Sequence, residues 1–102
     1  MKEIKHIAEY IREELADAEK YAKAAMKCKD TDRDLAQTYH DLSRQELTHI
    51  DLLHSNVARL IKEHTAKGKE VPAAMQAVWD WEHEHMVEEV KEVKLLLDMF
   101  RS

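Results

Sequence analysis

Helix-breaking residues are nearly absent from this chain. Its 102 residues include one glycine and one proline, so a turn that needs a positive or a fixed φ has few places to form. Ala, Glu, Lys, Leu, Asp and His dominate, a composition that favours helix almost throughout. Only two stretches carry stop-and-start signals. In Cys28-Lys29-Asp30-Thr31-Asp32, the last three residues offer N-caps for a following helix. In Ala66-Lys67-Gly68-Lys69-Glu70-Val71-Pro72, Gly68 suits the position just past a helix end, and Pro72 suits the first position of the next helix. The pattern predicts three helices, over about 2–27, 32–66 and 71–100. Each would be roughly 40 to 50 Å long, and connections this short force antiparallel neighbours. The expected fold is all-α, an antiparallel up-down-up chain of three helices making a single domain.

Charge and cysteine usage narrow the function classes. A net charge of -5 argues against nucleic acid as a partner, because phosphate binding needs a basic face. The charges alternate in sign and read as solvated helix faces. Cys28 stands alone and cannot form an internal disulfide, which fits a reducing compartment. The opening Met1-Lys2-Glu3-Ile4-Lys5-His6 is acidic in part and leads into no apolar run, so it does not read as a secretory signal. No apolar stretch approaches the length of a bilayer span. A cytoplasmic protein with no membrane partner is expected. Neither a Gly-rich phosphate loop nor a nucleophile elbow is present.

Polar residues inside the apolar stripes carry the chemistry. At 100° per residue, the inward stripe of the second helix reads Leu35, Tyr39, Leu42, Glu46, His49, Leu53, Val57 and Leu60. Glu46 and His49, three apart, share one face at its middle. In the first helix the stripe is Ile4, Ile7, Ile11, Glu14, Ala18, Tyr21 and Ala25; Glu13 is rotated toward water. Burying an ionised carboxylate without a partner is costly. A cation held jointly by carboxylate and imidazole would resolve that cost, and so would an interhelical hydrogen bond. Glu14 lies about sixteen residues before the first turn and Glu46 about sixteen after it. An antiparallel hairpin brings both to one level.

A mid-stripe Glu followed some thirty residues later by Glu-x-x-His resembles the first half of a ferritin-like di-iron carboxylate protein. Ala18-Glu19-Lys20-Tyr21 and Leu42-Ser43-Arg44-Gln45-Glu46-Leu47-Thr48-His49 are similar to rubrerythrin-type sequences. The resemblance covers roughly residues 7 to 60. It implies that Glu14 and His49 are terminal metal ligands and that Glu46 bridges two metals, with iron favoured and manganese or zinc as alternatives. It further implies ferroxidase chemistry, or oxidase chemistry on O₂ or peroxide. The family's domain has four helices, whereas three are expected here. Two copies of Glu14, Glu46 and His49 restore a set of four carboxylates and two imidazoles. A homodimer or higher homo-oligomer is therefore expected, as in the encapsulated ferritins that this short chain resembles.

The third helix offers another way to complete the set. Its apolar midline reads Met75, Trp79, Met86, Val90, Val93 and Leu97. Glu82 and His85 form a second Glu-x-x-His, with Glu89 near the level of Glu46, so Glu82, His85 and Glu89 are further candidate ligands. Tyr21 and Tyr39, two turns from Glu14 and Glu46, are core residues or an electron relay. His64 is read as an end-of-bundle contact, His54 lies toward a stripe's flank, and His6 and His40 lack partners at ligand spacing. Met26, Met75, Met86 and Met99 read as gap-filling core. Two classes without redox chemistry remain open: a metal-free helical interaction module, and a zinc or manganese bundle.

Overall fold

The computed structural model describes residues 2–101. Among them the chain is all-helical: α1 (Lys2–Cys28), α2 (Arg33–Ala66) and α3 (Ala73–Arg101). The breaks fall where capping chemistry placed them. The Asp32 carboxylate accepts the Leu35 N–H at 3.1 Å and caps α2. At the far end, Gly68 takes φ 75°. The Lys67 N–H donates to Glu63 O at 3.2 Å and the Lys69 N–H to His64 O at 3.3 Å, which satisfies carbonyls the helix leaves open. Pro72 stands one residue ahead of α3 rather than inside it, and its carbonyl accepts the first α3 bond, from Gln76 N–H at 3.0 Å.

Cross-helix contacts fix the directions. Glu14 faces His49, the Ser43 hydroxyl donates to Ala18 O at 2.7 Å, and Ala25 packs with Ala36, so α1 and α2 are antiparallel. Along α3, Met86 packs against Ile11 and Leu15, Val93 and Leu97 against Ala18 and Ala22, and Phe100 against Ala25. α3 therefore runs parallel to α1 and completes the up-down-up order. The rod measures 57 × 19 × 18 Å. No helix is long and apolar enough to cross a membrane.

The core is graded along this rod. Large side chains (Ile11, Leu15, Ile50, Met86) fill the level nearer the α1 N-terminus. Alanines take over beyond it, with Ala18, Ala25 and Ala36 at zero exposure. Small residues let two helix backbones approach closely, which is how a hydroxyl as short as that of Ser43 reaches a carbonyl of the neighbouring helix.

The buried stripes differ from the expected ones in a specific way. On α2 the buried residues are Ala36, His40, Ser43, Ile50 and Val57, while Leu35 is 42% exposed. The true stripe is rotated by about 80° from the Leu35–Leu60 stripe. On α1 it widens to include Leu15 and Ala22, which α3 covers. The expected α3 midline holds, with Met86, Val93 and Leu97 buried and Trp79 and Val90 packed beside them. Close packing selected small residues over the larger apolar ones beside them. As a result, Glu14, Glu46 and His49 lie on the flank of the α1–α2 pair turned away from α3, not at the centre of the core.

Ala18→Leu should destabilise the fold by about 1–3 kcal/mol, because a larger side chain at this closed contact must push α1 off α2. Urea unfolding followed by circular dichroism measures the loss; undiminished stability would show that the contact has slack.

Candidate metal centre

The hairpin register brings Glu14, Glu46 and His49 together. One donor atom from each lies within 4.8 Å of the others. His49 Nδ1 stands 3.4 Å from Glu14 Oε2 and 3.5 Å from Glu46 Oε2, between the two carboxylates. Burial is uneven: the side chains are 18% exposed for Glu46, 29% for Glu14 and 51% for His49. The site thus has a dry inner side and a wet outer one. Leu47 and Ile50, neighbours of Glu46 and His49 in sequence, turn into the core behind it.

One atom is out of balance. Glu46 Oε2 is buried and has no hydrogen-bond partner among the described residues. His49 Nδ1, 3.5 Å away, stands at ion-pair distance without making that hydrogen bond, and a carboxylate oxygen withdrawn from water in this way costs more than an ordinary hydrogen bond returns. A cation at the triad would satisfy it directly, and the donors present fit one: two carboxylates and an imidazole with no thiolate.

The α3 candidates do not join this group. Glu82 is ion-paired with Arg12 of α1. His85 stacks on Trp81, ring centroids 4.5 Å apart. Glu89 is half-buried. All three line a cleft beside Ile11 and Arg12, on the opposite flank of α1 from Glu14. At the level of the triad α3 turns Met86, Val87 and Val90 toward α1 and α2. The 100° step per residue then carries Glu82, His85 and Glu89 to the side. Depth along the helix suggested Glu89; rotation about the helix removes it.

Two histidine environments were not legible from ligand spacing. His40, read as partnerless, is 2% exposed and stacks on Phe100 with centroids 4.7 Å apart. Its Nε2 is buried without a hydrogen-bond partner. The signal was its place on the Ala36–His40–Ser43 face. His54 of α2 meets α3, its ring 4.9 Å from that of His83 and 6.1 Å from that of Trp79. Tyr21 and Tyr39 stack at 6.2 Å on the same flank as the triad.

Comparison with family models, with curated proteins and with solved structures gives no match to this chain. The functional reading therefore rests on the geometry of the residues themselves.

Burial holds the His54 imidazole below its ordinary pKa; the facing His83 adds to this and Asp51 opposes it. The unfolded chain takes up that proton more readily than the folded one. His54 thus contributes stability above the ordinary imidazole pKa that is lost as pH falls through the lowered folded value. Thermal melts from about pH 7.5 to 5 should show wild type losing stability more steeply than His54→Gln; parallel profiles would count against this.

Proposed function

We propose that this chain is a metal-binding, ferritin-like protein whose centre is completed by a second copy. The observation that carries the reading is the buried, unsatisfied Glu46 Oε2 beside Glu14 and His49, with donor atoms from all three within 4.8 Å. One chain offers two carboxylates and one imidazole, on a flank that α3 leaves open. That flank also bears Tyr10, 52% exposed, Leu35, 42% exposed, and the half-buried Tyr21–Tyr39 stack. An isologous two-fold pairing across it would bury these apolar groups and bring together four carboxylates and two imidazoles.

Oxygen and nitrogen donors without thiolate suit iron or manganese. Glu46, the most enclosed donor, would hold the metal from the dry side, and Glu14 and His49 would hold it from the more exposed side. Iron held by Glu14, Glu46 and His49 would supply redox chemistry toward O₂ or peroxide, and the reaction class proposed is ferroxidase or oxidase. The residues of the chain do the positioning. Leu47 and Ile50 keep water from the inner side of Glu46, and the spacing within α2 orients the imidazole toward both carboxylates. The rival reading is a metal-free interaction module, favoured by the 3.4 Å approach of His49 Nδ1 to Glu14 Oε2, in which the imidazole N–H donates to the carboxylate.

Anaerobic loading with Fe(II), removal of free metal, and combined metal analysis and native mass measurement test the proposal. Wild type should retain about one iron per chain as a dimer or larger assembly. Glu46→Ala should stay helical and lose the metal. Equal retention by Glu46→Ala, or none by wild type, would overturn the metal reading. A metal-loaded monomer would overturn the shared centre alone. Zinc retained in place of iron, with no O₂ consumption, would move the protein to the non-redox class.

A further inference from the structure

On the other flank of α1, a cleft of ≈ 320 Å³ opens between α1 and α3. Its floor is apolar, formed by Ala8, Ile11, Leu15 and Met86, and its α3 wall carries Trp79 and Trp81. Trp81 remains 60% exposed although its indole is stacked against the His85 ring at 4.5 Å, 24° from parallel. An exposed indole supported in this way is a ready surface for a cation over its face. The cleft also contains Glu82 and Glu89.

The charges decide what such a cleft would hold. Arg12, the one Lys or Arg side chain on its lining, is committed to Glu82, whose side chain is only 17% exposed. Glu89 is half-buried and has neither a hydrogen bond nor an ion pair among the described residues. The Arg12–Glu82 pair cancels, and one partly desolvated carboxylate remains beside aliphatic walls, the two indoles and the His83 and His85 rings packed against them. A neutral apolar molecule would leave that carboxylate uncompensated, and an anion would meet it with like charge. An ammonium group on a short hydrocarbon chain matches these features: charge to Glu89, and methylenes to the apolar floor and the indole walls.

We propose that the α1–α3 cleft binds a small primary alkylammonium ion, with Glu89 as its charge partner and the two tryptophans as its walls. The volume, at the low end of the range for small-molecule sites, about 300–1,000 Å³, accommodates a short alkyl chain with room to spare. This site is separate from Glu14, Glu46 and His49 and does not depend on metal.

The chain contains two tryptophans, and both line the cleft, so tryptophan emission excited at the red edge of the indole band, where tyrosine does not absorb, reports on its occupancy. The full-length protein is titrated with n-butylammonium chloride at constant ionic strength, with n-butanol and sodium chloride as controls. A saturable emission change with butylammonium, and none with butanol, is expected. Glu89→Gln should weaken the apparent affinity about tenfold, as loss of a charged partner in a partly buried site does, with circular dichroism and ligand-free emission unchanged. Glu46→Ala should respond as wild type does, so this site and the metal centre fail separately. A non-saturable response, an equal response to butanol, or a Glu89→Gln titration that matches wild type would overturn the proposal. Should Glu89→Gln prove misfolded, Glu89→Asp is used in its place: retained binding at reduced affinity supports the assignment, and unaltered affinity overturns it.

Discussion

The close approach of α1 and α2 through small side chains is the constraint on which the remaining geometry hangs. Ala18, Ala25, Ala36 and Ser43 are all at zero exposure, and the Ser43 hydroxyl reaches the Ala18 carbonyl at 2.7 Å. That contact sets the register of the hairpin. It puts Glu14 level with Glu46 and His49, one to two turns from the Ser43 bond, and it leaves too little room between the helices for the carboxylates themselves. They are displaced to the flank, where one carboxylate oxygen is stranded without water and the imidazole is half in solvent. The candidate site is thus a by-product of tight helix packing as much as of its own residues.

The sequence revealed the levels of these residues better than the faces they occupy. The two breaks, the three helices and the common depth of Glu14 and Glu46 followed from capping chemistry and from counting along the chain. Rotation was harder to read. A stripe drawn through the largest apolar residues of α2 passes through Leu35 and Leu42, whereas the buried one passes through Ala36, His40 and Ser43. Hydrophobicity favours Leu over Ala, but a closely packed pair of helices favours whatever is small. Glu89 matches Glu46 in counted depth but lies at the edge of its own stripe, on the cleft side of α3, and the burial of His40 depends on Phe100 arriving from a helix sixty residues later. Contacts of that range have no local signature.

α2 is in effect two-faced. One face, Ala36 to Val57 through Ser43 and Ile50, is used inside the chain. The other, through Leu35, Tyr39, Glu46 and His49, is partly apolar yet met by no other helix apart from the edge of α1. A long helix that carries two such stripes and buries only one keeps a partly apolar face in solvent, the feature from which the proposed pairing is argued. On the proposed reading, the open face of α2 and the incomplete donor set of Glu14, Glu46 and His49 are one fact seen twice, since both lie on the flank that α3 leaves uncovered.

The third helix leans on α1 at a place the acid–imidazole group never touches. Met86, Val93, Leu97 and Phe100 are its buried anchors, while Val78, Trp81, Leu95 and Met99 stay exposed. Drift in this helix can therefore reshape the aromatic cleft, or the outer wall of the rod, while the donor atoms on the far side keep their places. Such a division lets one half of the molecule be retuned for new company without retuning the other.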